Sequence, residues 1–248
     1  MKTFQRVLIA AALLLPGVSQ AEQFYLGYSH WNYQVSGVYQ DNGSNYDLDG
    51  SLNASTNSRA LYRLRWDTGP GWWPDLAASY SRIAVTGQRT ITTGGPGIGG
   101  LPVGQASSTA NIDANVRDMD ATLRYGVPLG WARLSGGVTV KQLKGDVTVS
   151  DNAATPPQSR RNVDEVFPMA HAFIEVPLGS RVRIGLGGDW IAARGNEADS
   201  ILAMVRIKLI GPLDLTGGWQ RKRYKVRTDR YLLDAKLQGW QFGGELAF

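Results

Sequence analysis

The segment Trp240-Gln241-Phe242-Gly243-Gly244-Glu245-Leu246-Ala247-Phe248 alternates without a break. Trp240, Phe242, Gly244, Leu246 and Phe248 share one face of an extended chain, since strand side chains point to opposite sides with a period of two. Gln241, Gly243, Glu245 and Ala247 share the other face. An apolar, aromatic face set back to back with a polar one is the pattern of a strand that separates hydrocarbon from a polar lumen. It predicts a transmembrane β-barrel.

The other end of the chain agrees. Lys2 and Arg6 precede an apolar run from Val7 to Leu15, and Ser19-Gln20-Ala21 forms a small-x-small cleavage site. The spacing predicts a secretory signal peptide over residues 1–21, too short for a membrane helix, followed by a barrel domain over residues 22–248. The chain has no cysteine, which excludes a lipidated cysteine anchor, a disulfide framework and thiol chemistry. Without Lys2 and Arg6, 24 of the 26 basic residues remain against 21 acidic ones, a balance too mild for nucleic acid. No apolar run of the ~18 residues that a spanning helix needs follows Ala21. Closed strands cross a bilayer without one, because every backbone group is then paired. Thirty glycines, eight tryptophans and ten tyrosines suit a barrel with aromatic girdles. A soluble sandwich shares that composition but does not account for both ends together.

Ten alternating segments with turn chemistry between them are read as strands. The first spans Gln23 to Tyr33 with Phe24, Leu26 and Tyr28 outward. The second, Arg59 to Trp66, turns outward Tyr62, Leu64 and Trp66, and the third, Asp75 to Val85, Leu76, Ala78 and Tyr80. The fourth, Ala114 to Tyr125, puts Met119, Ala121, Leu123 and Tyr125 on lipid. Leu134, Val138 and Val140 mark the fifth, and Ala170, Ala172, Ile174 and Val176 the sixth. Ile184, Leu186 and Trp190 mark the seventh, Ala203, Val205 and Ile207 the eighth, and Leu213, Leu215 and Trp219 the ninth. The tail is the tenth. Long and tight connections alternate, as extracellular loops and periplasmic turns do. The fold class predicted is all-β, a single antiparallel up-and-down barrel of ten strands, with eight or twelve as the alternatives.

Four short patterns carry a family resemblance: Trp73-Pro74-Asp75, Asp118-x-Asp120-x-Thr122-Leu123-x-Tyr125, Gly217-Gly218-Trp219-Gln220-Arg221, and the stretch Gly239 to Phe248. With them the chain resembles small Gram-negative outer-membrane β-barrel proteins of unassigned function. Trp219 stands where that group has Tyr, and the glycine-rich third loop is longer here. The resemblance implies an outer-membrane location and no cofactor. It also implies a C-terminal insertion signal of Trp240, Phe242, Leu246 and Phe248, read by the barrel-insertion machinery.

The inward faces give the expected lumen. Its charged groups are Arg63, Arg65, Arg124, Lys141, Arg181, Arg183, Arg206 and Lys208 with Asp118, Asp120, Glu175, Asp189 and Glu245, joined by Arg133, Lys222 and Asp214. Buried charges must pair, because an isolated one costs several kcal/mol. A network that closes the barrel is therefore preferred. The alternative is a narrow anion-preferring pore, since basic rings favour anions. A barrel of about ten strands falls short of the 16 to 18 that leave a broad channel.

On the outer face, Arg221, Arg223, Lys225 and Arg227 continue the parity of Trp219 at the extracellular end, where lipopolysaccharide phosphates lie. These four form a candidate lipopolysaccharide site, and outer-membrane lipid is the expected partner. His30, Ser58 and Asp234 share outward parity near the outer rim and form a weaker candidate for a lipid-facing hydrolase. His171 is expected to sit satisfied within the lumen. Asn45-x-Asp47-x-Asp49-Gly50 with Thr56 has the spacing of a calcium loop, but Asn and Thr replace two of its carboxylates. Gly95-x-Gly97-x-x-Gly100 lacks the strand and helix of a dinucleotide site and is read as a loop. No metal ligand set and no enzyme activity are predicted.

Overall fold

The computed structural model describes residues 23–41, 44–48, 57–68, 73–93, 106–151, 158–193, 196–228 and 231–248. Among them are the strands β1 (Gln23–Asp41), β2 (Ser44–Asp47), β3 (Asn57–Asp67), β4 (Asp75–Thr93), β5 (Ala106–Pro128) and β6 (Arg133–Asp151). β7 (Gln158–Leu178), β8 (Val182–Ala193), β9 (Asn196–Lys208), β10 (Leu213–Arg227) and β11 (Tyr231–Ala247) complete the set. All but β2 run antiparallel in chain order, and β11 pairs with β1, so the sheet closes as a ten-stranded up-and-down barrel. β2 is a short addition against the end of β1.

Closure runs from Tyr25↔Ala247 to Asp41↔Tyr231. At its foot Phe248 and Phe24 exchange backbone hydrogen bonds of 2.8 and 3.2 Å, and their rings lie 6.4 Å apart. The terminal aromatic thus fastens the first strand to the last. The turns after β5 and β7 carry Gly130 and Gly179 at φ of 80° and 73°, a backbone region that L side chains disfavour.

The strands are longer than the alternation of apolar outward residues predicts. The first was expected to end at Tyr33 and runs to Asp41; the fourth was expected over Ala114 to Tyr125 and covers 23 residues. At ~3.3 Å per residue β5 extends about 75 Å, against an apolar band of about 25 Å. The excess projects above the bilayer, and there the polarity of the wall reverses. On β5 the outward residues Met119, Leu123, Tyr125 and Val127 give way to Arg117, Asn115, Asp113 and Asn111, with no change of parity. Inward, Arg124, Thr122, Asp120 and Asp118 give way to Val116, Ala114 and Ile112. β6 repeats the pattern: Lys141 faces inward below and Leu143, Val147 and Val149 above.

The lumen is therefore polar only in its lower half, which corrects the expectation of a polar interior throughout. The upper half holds an apolar core that includes Trp31, Tyr33, Val35, Ile83, Phe167 and Leu237. Above the membrane the wall has water outside, so burying its inward apolar residues becomes favourable. Of the weaker sequence candidates, Asn45 and Asp47 fall on β2, where Asn45 pairs with Gln40. Asp49, Gly50, Thr56, the Gly95–Gly100 stretch and residues 1–21 lie outside the described residues.

This reversal makes one face of one strand respond in two ways. Leu123→Arg places a charge in hydrocarbon and is expected to cost about 2–4 kcal/mol. Asp113→Arg, on the same face above the bilayer, is expected to stay within about 0.5 kcal/mol. Urea titrations of protein refolded into lipid vesicles distinguish the two.

Candidate functional site

The lower lumen is filled by ion pairs in tiers. At the periplasmic end Asp75, fully inside, accepts from Arg133 at 2.6 Å and from the Thr68 amide at 3.1 Å. Asp67 lies 3.4 Å from Arg65 and 3.5 Å from Arg124. The Arg65 guanidinium stacks 3.7 Å from the centroid of the Tyr25 ring. One tier higher, Arg206 donates Nε to Glu245 and Nη1 to Glu175, each at 2.8 Å, and Arg183 reaches Glu175 at 3.8 Å. Arg63 donates to Gln241 across the β3–β1–β11 wall. Asp189 accepts from His171 Nδ1 at 2.8 Å, Thr139 at 2.6 Å and Ser200 at 2.7 Å.

The top tier is the most enclosed. Asp118 accepts from Lys141 at 3.2 Å, Lys222 at 2.5 Å and the Tyr224 hydroxyl at 3.1 Å. Lys141 also donates to Asp120 at 2.9 Å, and Ser79 donates to the same carboxylate at 2.7 Å. Lys222 lies 5.5 Å from the centroid of the Trp31 ring. Asp118, Lys141, Lys222, Trp31, Thr139 and Met169 are each at most 1% exposed. Two charged amines with no solvent contact are tolerable only because Asp118 bridges both and Asp120 supplies the second negative charge.

This tier separates two cavities. Below it lies one of about 140 Å³, bordered by Arg63, Arg65, Arg124, His171, Asp189 and Glu245. The buried His171 Nε2, Arg65 Nη2 and Gln241 Nε2 have no hydrogen-bond partner in the protein, so this space has both the room and the polar lining that ordered water needs. Above the tier lies an apolar cavity of about 70 Å³ under Tyr39, Leu48, Ile83, Ile112, Val147 and Leu237. Cavities lined this way stay dry.

Most of the expected lumen residues meet here, but two do not. Arg181 sits exposed in the turn between β7 and β8, and Lys208 is exposed at the end of β9, joined to it through a backbone bond of 2.7 Å. Both lie where the strands run out into periplasmic water, so parity alone does not bury them. Asp67, Asp75 and Tyr224, absent from the expected lumen, also lie within it. The period-two register of β4 and β10 was the signal that locates the last two. Seven Arg and Lys side chains thereby engage six carboxylates in salt bridges. The excess of positive charge expected of an anion constriction is largely removed.

On the outer wall Arg221, Arg223, Lys225 and Arg227 point away from the lumen. Three of them are held by neighbouring strands: Arg221 by Asp199 at 2.9 Å, Arg223 by Asp234 at 2.9 Å and Lys225 by Glu197 at 3.0 Å. The Arg227 amide donates to Asn196 at 2.8 Å. Ser58 contacts the His30 Nε2 and donates to Asn32 at 2.6 Å. Asp234 does not join them. It pairs in register with Val38, whereas His30 pairs with Phe242, which sets it eight residues further along the wall. Trp240, Phe242, Leu246 and Phe248 are outward and exposed, with Trp240 and Phe242 stacked at 6.5 Å.

No family model matches the chain, and no curated protein sequence matches it. Among solved structures it is similar to the outer membrane protease OmpT of Escherichia coli. That match has 8% identity and a TM-score of 0.57 over 92% of this chain and 98% of that one. Neisserial surface protein A (8% identity, TM-score 0.40) covers 91% of this chain and 97% of its own. The translocator domain of the autotransporter NalP from Neisseria meningitidis (10% identity, TM-score 0.43) covers 100% of this chain and 95% of its own. The fold is that of outer-membrane β-barrel proteins.

Removing the hub of the top tier tests its weight. Asp118→Ala leaves two buried ammonium groups with one carboxylate and is expected to destabilise the barrel by about 3–5 kcal/mol. Lys208→Ala, at the exposed end, is expected to change stability by less than about 0.5 kcal/mol. Unfolding in urea, followed by tryptophan fluorescence, measures both.

Proposed function

We propose that this chain is an integral protein of the Gram-negative outer membrane, structural rather than enzymatic, with a closed lumen and a basic outer collar that holds lipopolysaccharide. It reaches that membrane through its signal peptide and the insertion signal of its last strand. The observation that carries the reading is the solvent-free tier of Asp118, Lys141 and Lys222. A solute crossing the barrel has to separate these charges and then pass an apolar chamber, and neither step is favourable for an ion. The narrow anion pore is the second reading; the near balance of lumen charge weighs against it.

Planar-bilayer recordings decide between the two. The purified protein is expected to give no conductance steps, and Arg63→Ala with Arg65→Ala is expected to open none, because the upper tier stays in place. A reproducible anion-selective conductance in the unaltered protein overturns the closed-lumen reading. A lipid acyl-hydrolase activity that disappears in His30→Ala overturns the non-enzymatic one, Ser58 and His30 being the pair that would supply it.

Lipopolysaccharide binding is assigned to Arg221, Arg223, Lys225 and Arg227. Their carboxylate partners use only part of the donor capacity, since a guanidinium carries five N–H groups. Charge-assisted bonds to phosphate are worth roughly 1.5–3 kcal/mol each. Changing all four to Gln is expected to lower copurified lipopolysaccharide while heat-modifiable migration of the folded barrel stays unchanged. Equal retention in both proteins would reduce the collar to a solvated rim.

A further inference from the structure

We propose that the outer wall of β9, β10 and β11 seats one phosphorylated glycolipid molecule, its acyl chain in an apolar groove and its phosphorylated headgroup at the charges directly above. This rests on the collar reading and narrows it to a place. The groove encloses about 820 Å³ and is bordered by Ala203, Val205, Gly217, Trp219, Trp240 and Phe242. It exists because the wall carries almost no side chain at Gly217 and Ala203, while the flanking positions are large. A Cβ added at Gly217 would stand 3.4 Å from the Phe242 ring, so the glycine leaves a trough beside that ring. Trp219 and Trp240 are direct cross-strand partners and form its upper lip.

Immediately beyond that lip the same face turns ionic. Arg221 and Arg223 follow Trp219 on β10, and Lys236 is the cross-strand partner of Arg223. They border a second cleft of about 550 Å³ together with Asp199 and Asp234. Three cations face two carboxylates there. Arg221 spends Nη2 on Asp199, and a guanidinium carries five N–H groups, so donor capacity is left for a phosphate oxygen at the cleft. A cleft of this size suits a phosphorylated sugar headgroup better than a single phosphodiester. An apolar trough ending at a basic cleft has the polarity of an anionic amphiphile inserted from the outer leaflet.

The test is native mass spectrometry of the detergent-folded full chain, titrated separately with purified lipopolysaccharide, dephosphorylated lipopolysaccharide and phosphatidylglycerol. One lipopolysaccharide per barrel is expected, with affinity about tenfold weaker after dephosphorylation and for phosphatidylglycerol. Gly217→Leu with Ala203→Leu fills the trough and is expected to weaken binding about tenfold, as is Arg221→Gln with Arg223→Gln and Lys236→Gln. Ala203→Leu alone is the milder filling variant, and heat-modifiable migration reports the folding of each. If trough filling changes nothing while the Gln variant loses the lipid, the seat is wrong and the collar reading survives. If neither variant loses it, both readings fall. Equal binding of phosphatidylglycerol overturns the glycolipid assignment, and a dimer mass in place of bound lipid assigns the groove to a second copy.

Discussion

Every other feature of this protein depends on the backbone pairing of β1 with β11. A strand edge in hydrocarbon leaves amides and carbonyls with no partner, at several kcal/mol for each. The closure from Tyr25↔Ala247 to Asp41↔Tyr231 removes that edge. Its lower end is secured by Phe248 and Phe24, so the last residue of the chain completes the ring of hydrogen bonds. Ten strands closed in this way leave an interior narrow enough for side chains to fill. What fills it then follows from the solvent outside each level of the wall.

Two solvents act on one wall. Hydrocarbon around the lower half requires apolar residues outside, and the polar residues are left to face each other within. They settle as paired tiers. Water around the upper half reverses the preference, and Val35, Ile83, Phe167 and Leu237 form a core of the ordinary kind. Asp118, with Lys141, Lys222 and Tyr224, stands where the two regimes meet. A carboxylate that bridges two ammonium groups beneath an apolar chamber is an expensive arrangement to break.

The outer wall follows the same logic at the same height. Trp219 and Trp240 end the apolar belt, and Arg221 and Arg223 begin the ionic surface within two residues. Cross-strand carboxylates hold these cations in place without exhausting their donors. The interior and the collar thus use similar ion pairs in opposite circumstances. Inside, the pairs are buried; outside, they are part-exposed.

Alternation is a local property, and whatever depends on it alone was legible in the sequence. The ten membrane-crossing segments, the lipid faces of Leu123 and Tyr125, the inward faces of Arg63, Asp118 and Lys141, and the outward projection of Arg221, Arg223, Lys225 and Arg227 all follow from period two. The upper halves of the strands escaped notice because their outward residues are polar, as loop residues are, although the parity never changes. Partnership was not legible, because it is set by register around a closed ring. Closure puts Asp234 opposite Val38, far from His30, and brings Asp118 to Lys222 across 104 residues of chain. It also decides that Arg181 and Lys208 fall past the end of the wall while Asp75 turns inside it. The sequence determined which face each residue takes, since geometry along one strand suffices for that. Only the tertiary structure decided which charges meet and at what height the polar tiers give way to the apolar core, since those depend on the shear with which ten strands close.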